Sequence, residues 1–304
     1  SMNINKNQLE VLALVEREGG RKLPQREIAE LLKASLGLVN KAFTELMEMG
    51  LIGMNGKKEV QITKLGLEAL EPYRVKRAVI IAAGFGSRLV PITLNTPKPL
   101  VRVHGKMIVE TLLDAIVAAG IEEIVIVRGY LAEQFDQLLY KYPNIRFIEN
   151  PIYNEANNIS SAICAKDLLG GAYVLEADLL LYNPALIQKY QYCSNYLGVP
   201  VEVTDDWCLY SKNGIITKLV VGGRNCHHLF GISYWTEQDG TRLAGHLQQV
   251  YDMPGGKERY WDQAALEYFI HDYRVAIREC TFEDIIEIDT FRELVRLDST
   301  YDVG

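Results

Sequence analysis

Residues 77–100 read RAVIIAAGFGSRLVPITLNTPKPL. The apolar run 78–83 is short and bounded by Gly84, which predicts a strand buried on both faces of a parallel sheet. Gly84 and Gly86 lack a Cβ, can adopt positive φ, and let the backbone come close to a ligand. The loop's N–H groups, with Arg88 and Lys98 just beyond, make a place for a polyphosphate. The stretch therefore predicts nucleotide binding. It does not complete the dinucleotide fingerprint GxGxxG. The third glycine position is Leu89, and about twenty residues on stands His104, with no acidic residue to hold a ribose. The pattern GxxxxGK[ST] is also absent.

The chain has 304 residues, 48% hydrophobic and 23% charged, enough for packed cores in two domains. It contains no run of eighteen apolar residues, so no membrane span is expected. Five scattered cysteines without a CxxC pair argue for reduced thiols in a cytoplasmic protein, and against a zinc site or a disulfide framework. Ser1-Met2 reads as a tag scar ahead of a native start, with no signal peptide after it. The net charge of −7 disfavours the whole chain as a nucleic-acid coat.

Residues 1–73 differ in character from the rest. Apolar positions 9, 12, 14 and 15 mark one face of a helix, which Gly19-Gly20 ends. Pro24 opens a second helix, Ser35 caps a third that runs to about Met49, and Leu51 to Thr63 reads as a hairpin turning at Asn55-Gly56. This order resembles a winged helix-turn-helix domain, with Leu65 to Tyr73 as a closing helix. The resemblance implies DNA as a partner, through Asn40, Lys41 and Thr44 on the third helix and Lys57-Lys58 at the wing tip. Residues 1–75 carry eleven Lys+Arg against ten Asp+Glu, a thin surplus for a DNA-binding domain. Reuse of the fold for a homodimer or for docking is the alternative.

From residue 74 to 304 strands and helices alternate: strands near 78–83, 100–103, 124–128, 145–149 and 172–177, with helices at 108–119, at 131–140, and from after 161 to about 168. This is βαβ logic and predicts a Rossmann-like, mostly parallel sheet with helices on both faces, whose ligands bind at the carboxyl ends of the strands. Asp178 ends the strand YVLEAD there. Near the C-terminus, Ile285-Ile286-Glu287-Ile288-Asp289 alternates, placing two carboxylates on one face of a buried-looking strand. One unpaired buried charge is costly, so a cation is expected beside them. Thr290 with Glu293 reads as a capping box for the last helix.

Gly84-Phe-Gly86-Ser87-Arg88 followed by Pro91, Thr93, Pro97 and Lys98 resembles the signature of nucleotidyltransferases that activate sugar phosphates and choline phosphate. With Asn150-Pro-Ile-Tyr-Asn154, Asn157-Asn158-Ile-Ser160-Ser161, Asp205-Asp206-Trp207 and Tyr260-Trp261-Asp262, residues 76–297 resemble the bacterial CTP:phosphocholine cytidylyltransferase family. The resemblance implies that Ala82, Ala83, Gly84, Gly86, Ser87, Asn158, Ser160 and Ser161 approach the nucleotide. Arg88 and Lys98 would hold its phosphates and the incoming phosphate. Asp178 and Asp289, with Glu287 in support, would hold Mg²⁺, which takes one or two carboxylates plus phosphates and water. CTP and phosphocholine are the expected substrates, CDP-choline and pyrophosphate the products.

A quaternary ammonium is recognised by aromatic faces and nearby carboxylates. Trp207, Tyr260 and Trp261, with Asp205 and Asp262, are the cage expected for it; Tyr234 and Trp235 are weaker candidates. Phosphoethanolamine and 2-aminoethylphosphonate are rivals, since a primary ammonium donates three hydrogen bonds and favours carboxylates. Pro99 stands where the phosphocholine enzymes carry glycine, which keeps a sugar 1-phosphate as an alternative. A transcription regulator that senses a cytidine nucleotide is the reading from another class. Arg88, Lys98, Asp178 and Asp289 all stand, which favours an enzyme.

Overall fold

Strand Arg77–Ile81 is β-branched and apolar from Val79 on, and its side chains alternate between two cores. Ala78 and Ile80 pack on one face against Val109, Leu112 and Ile116 of helix Ile108–Ala118. Val79 and Ile81 pack on the other, with Ile159, Leu243, Leu247 and Val250 from helices Ile159–Cys164 and Glu237–Tyr251. Full burial of such a side chain contributes about 1.5–3 kcal/mol, which is why a five-residue run suffices to centre the sheet. Arg77 closes the strand's start by ion-pairing with Glu123 at 3.1 Å and donating to the carbonyl of Gly170 at 2.7 Å.

The computed structural model describes residues 3–302, so the reading of Ser1-Met2 lies outside the described residues. The chain divides into two units, 1–74 with 190–192, and 75–189 with 193–304. The larger holds a seven-stranded sheet in the order Asn195–Lys212, Ala276–Glu279, Ile215–Trp235, Ala172–Glu176, Arg77–Ile81, Glu123–Arg128, Ile145–Glu149. The four strands from Ala172–Glu176 to Ile145–Glu149 are mutually parallel, and Ile215–Trp235 joins them antiparallel. A long hairpin, Asn195–Lys212 with Ile215–Trp235, turns at Asn213-Gly214, both in the left-handed region.

Segment Ala132–Tyr140, expected as an α-helix, is wound as a 3-10 helix. The expected strand near Leu100 begins only at Arg102, because Lys98–Leu100 makes a 3-10 turn. Strand Leu179–Leu181 pairs antiparallel with Ile285–Glu287, in register Leu179 with Glu287. That pairing brings the C-terminal carboxylates to the sheet's edge.

The smaller unit has helices Lys6–Glu18, Gln25–Leu32 and Leu36–Glu48, the last capped by Ser35. Strands Ile52–Met54 and Glu59–Ile62 form the wing, with Arg21–Lys22 as a third strand. The wing does not turn on a two-residue Asn-Gly loop. Residues 55–58 form the turn, with Lys58 at φ 62 and the Asn55 side chain accepting from the N–H groups of Lys57 and Glu59. An Asn side chain that bonds the backbone two residues on selects this longer loop. Asn40, Lys41, Thr44, Lys57 and Lys58 are exposed.

Candidate active site

An open cleft of about 280 Å³ lies at the carboxyl ends of the parallel strands, lined by the Ile81–Gly84 turn, Asn150, the 156–161 segment and the 176–178 strand end. Gly86 takes φ +70, and a Cβ there would stand 3.0 Å from Lys98 Cβ, so glycine is required twice over. Gly84 differs: its φ is not positive and an added Cβ would meet nothing, because that side faces the cleft. The buried Thr93 hydroxyl donates to the Gly86 carbonyl at 2.8 Å and pins the loop. Ala82 and Ala83 line the cleft, whereas Ser87 is exposed and stands off it.

Lys98, 7% exposed, donates to Asp178 Oδ2 at 3.0 Å. Arg88, 68% exposed along its side chain, reaches Asp289 Oδ1 at 3.2 Å. Each predicted phosphate-binding cation is thus held by one of the predicted metal-binding carboxylates. Burial works against the Lys98 charge, but Asp178, Glu287 and Asp289 outweigh it and raise its pKa. Burial, then Asp178, Glu176 and Asp289, push the Glu287 carboxyl up to about 10 against the opposing Lys98. Asp289 is oriented by the last helix: Glu293 accepts from the Asp289 N–H at 3.1 Å, while Thr290 caps Phe291–Leu297 by accepting from Glu293 at 3.2 Å. The expected capping box is therefore shifted by one residue, and its glutamate serves Asp289.

These groups fit a divalent cation. Asp178 Oδ1 is buried without a hydrogen-bond partner, with Glu287 and Asp289 close by, which is the oxygen donor chemistry a hard divalent cation takes. Among the described residues no three His, Cys, Asp or Glu side chains gather as a protein-only metal cluster. Mg²⁺ needs no such cluster, since it keeps waters and shares its shell with substrate phosphates.

The expected aromatic cage is only partly assembled. Trp207 and Tyr260 meet edge to face, with ring centroids 5.5 Å apart, and Tyr260 is 40% exposed and lines the cleft. Trp261 is 0% exposed, packed among Tyr196 and Trp235 in the sheet's core, so it is not a cage wall. Asp262 is 6% exposed and accepts from the Tyr196 hydroxyl at 2.9 Å, so its carboxylate is committed inside the fold. Burial pushes it up to about 6, against the hydrogen bond from Tyr196. Tyr234 and Trp235 are likewise core residues. Asp205 is exposed on the long hairpin; of the pair, Asp206 is the one whose charge reaches His228, lowered by burial against Asp206 and Asp289.

Asn158, Ser160 and Ser161 line the cleft, and several of their polar atoms are committed within the protein. Asn150 Nδ2 donates to both serine hydroxyls at 2.9 Å, and Ser160 donates to the Asn157 carbonyl at 2.8 Å. Asn150, quoted above within its motif but given no role there, is thus a shaping residue. Glu176 is another. It lines the cleft, and burial, then Asp178 and Asp262, push its carboxyl well above the usual range against Lys98. The alternation of YVLEAD, which puts Glu176 and Asp178 on one face, is the signal that reveals it. Gly231 opposite makes room: a Cβ there would stand 2.5 Å from the Glu176 carboxyl carbon.

A parallel sheet with a glycine loop and paired Lys–Asp and Arg–Asp contacts at its carboxyl edge defines a nucleotidyltransferase, and the comparisons agree. The nucleotidyl transferase family matches residues 77–193, and a winged helix-turn-helix DNA-binding family matches residues 4–52. The chain is 36% identical to a 2-aminoethylphosphonate cytidylyltransferase of Lancefieldella rimae over 228 residues, 74% of this chain and 92% of that one. It is 34% identical to a choline-phosphate cytidylyltransferase of Haemophilus influenzae, over 70% of this chain and 91% of that one. The solved CTP:phosphocholine cytidylyltransferase of Streptococcus pneumoniae superposes with a TM-score of 0.69 at 32% identity, covering 75% of this chain and 99% of that one. The chain belongs to the nucleotidyltransferase family, among cytidylyltransferases, and carries an N-terminal winged helix-turn-helix unit.

Proposed function

We propose that the enzyme transfers CMP from CTP to a small amine-bearing phosphonate or phosphate, with 2-aminoethylphosphonate as the favoured acceptor. The observation that carries the choice of acceptor is the incomplete cage. With Trp261 and Asp262 inside the core, only Trp207 and Tyr260 present aromatic surface, beside the exposed Asp205 and Asp206. A primary ammonium, which donates hydrogen bonds to carboxylates, suits such a corner better than a trimethylammonium, which needs several aromatic walls. The relative acting on 2-aminoethylphosphonate supports the same choice. Phosphocholine is the second reading, favoured by the Trp207–Tyr260 pair itself. The reading made from sequence put phosphocholine first.

An acceptor oxygen, already ionised near neutral pH, attacks the α-phosphorus of CTP in line. The new P–O bond forms as the bond to the bridging oxygen of pyrophosphate breaks, and no general base is required. Lys98 and Arg88 would neutralise charge on the phosphates, so catalysis would be positioning plus electrostatics. Asp178 and Asp289, with Glu287, would hold Mg²⁺, which when bound supplies charge neutralisation at the phosphates. The cytosine and ribose would lie along Ala82, Ala83, Gly84 and the 158–161 turn.

The test is pyrophosphate release from CTP, UTP and ATP against 2-aminoethylphosphonate, phosphoethanolamine, phosphocholine and glucose 1-phosphate. CTP with 2-aminoethylphosphonate should give the highest kcat/KM. Turnover fastest with glucose 1-phosphate would refute the amine class, and CTP binding without any turnover would make the protein a sensor. The winged helix-turn-helix match over residues 4–52 supports duplex DNA as a partner, and the exposed Lys41 on the third helix and Lys57 and Lys58 in the wing beyond that match are the lysines that would meet it.

A further inference from the structure

The 157–161 turn of the nucleotide cleft and the 257–261 segment that carries Tyr260 are bound to each other by their own polar atoms. The Asn157 N–H donates to the Lys257 carbonyl at 2.8 Å, and Asn157 Nδ2 donates to the Glu258 carbonyl at 3.0 Å. Asn158 Oδ1 accepts from the Trp261 N–H at 2.8 Å. Asn157 Oδ1 in turn accepts from the Asn158 N–H at 2.7 Å, so both side-chain polar atoms of Asn157 are used up. On the far side, Gln263 Oε1 accepts from the Tyr260 N–H at 2.9 Å, which fixes the Tyr260 backbone from both sides. Tyr260 then presents its ring to the cleft and to Trp207.

Residues this close to a nucleotide are expected to spend their amides on it. Here Asn157 Nδ2 and Asn158 Oδ1 are spent on the 257–261 segment instead. We propose that Asn157 and Asn158 are positioning residues: a strap through which nucleotide binding sets Tyr260, so that CTP and the acceptor strengthen each other's binding. The inference rests on the acceptor reading above and deepens it by assigning the residues that join the two halves of the site. Coupling between sites travels through such contiguous hydrogen-bonded contacts and is reciprocal.

The experiment measures binding of α,β-methylene CTP, which cannot release pyrophosphate, to the full-length enzyme with Mg²⁺. Calorimetry is run with and without saturating 2-aminoethylphosphonate or phosphocholine. The wild-type protein should bind the analogue roughly 5- to 50-fold more tightly when the acceptor is present, the usual range for coupled sites. In Asn158→Ala the ratio of analogue affinities with and without the acceptor should fall below about twofold, whatever the change in affinity for the analogue alone. Asn158→Asp keeps an acceptor oxygen for the Trp261 N–H and should retain coupling, which a general loss of structure would not allow. In turnover, Asn158→Ala should raise the acceptor KM more than the CTP KM. Coupling that persists in Asn158→Ala, or equal weakening of both ligands, overturns the strap while leaving the acceptor reading intact. Failure of the wild-type protein to bind either amine overturns both.

Discussion

Replacing Asp262 by asparagine tests whether this acid belongs to the fold or to the substrate. Its carboxyl is almost fully buried, accepts from the Tyr196 hydroxyl at 2.9 Å and is pushed up to about 6 by burial. In the unfolded chain an aspartate titrates near about 3.9. The folded state therefore binds this proton more tightly than the unfolded state. The stability that follows is present below about pH 4 and is lost as pH rises through about 6. The gap of about 2 units corresponds to about 3 kcal/mol of destabilisation at pH 8, as an upper bound. Asparagine keeps an oxygen for Tyr196 and cannot ionise. Asp262→Asn should therefore be about 2–3 kcal/mol more stable than the wild type at pH 8, raising the melting temperature of the catalytic unit by roughly 4–10 °C. At pH 4 the gain should vanish. The assay is calorimetric unfolding at both pH values, with the acceptor KM measured alongside and expected to stay within about threefold. A variant that is less stable at pH 8, or whose acceptor KM rises tenfold or more, would refute the buried assignment and return Asp262 to the substrate.

Other consequences are equally open to measurement. Lys98→Ala should lower kcat by roughly 10²–10³, the size of one lost preorganised electrostatic contact, and unchanged turnover would remove Lys98 from the phosphate site. Mg²⁺ binding at pH 8, followed by calorimetry in two buffers of different ionisation enthalpy, should release close to one proton per cation. Burial and the neighbouring acids push Glu287 up to about 10, so a cation arriving beside it should displace its proton, and absence of release would count against a metal site there. DNA binding by the full-length protein should be salt-sensitive, with a log–log slope of about −3 if Lys41, Lys57 and Lys58 each meet a phosphate. No gel shift at low salt would rule against duplex DNA as the partner of residues 4–52.

Much of the fold could be read because its signals are local. The Arg77–Ile81 run is apolar on both faces, and the loop beyond it holds Gly86, which the structure puts at positive φ. What joins the site is not local. Lys98 meets Asp178 across 80 positions and Arg88 meets Asp289 across 201, distances closed only by sheet order and by the register of Leu179 with Glu287. Tyr260 and Trp261 look alike in sequence, yet one lines the cleft and the other sits in the core; adjacency next to an aspartate cannot separate them. The segment 132–140 misled because nine residues are too few to tell a 3-10 spacing from an α spacing. The two Asn-Gly pairs show the same limit: Asn213-Gly214, not read as a turn from sequence, closes the long hairpin, whereas the side chain of Asn55 bonds the backbone and gives a longer loop.

The charge balance of the cleft bears on what it can accept. Glu176, Asp178, Glu287 and Asp289 stand around Lys98, with Arg88 at the rim, so acids outnumber bases by two. A triphosphate cannot be what the excess acids are for, because it would add to the same sign. In the protein alone the excess is relieved by protons, which Glu176 and Glu287 hold well above the usual carboxylate range. Cations relieve it during the proposed reaction: a divalent ion at Asp178 and Asp289, and the ammonium of the acceptor on the Tyr260 side. The phosphate of an uncharged sugar, itself an anion, would bring no ammonium and leave only the first of these. Under the proposed function the acid excess is thus matched by cations that arrive with the substrates, as those two protons leave.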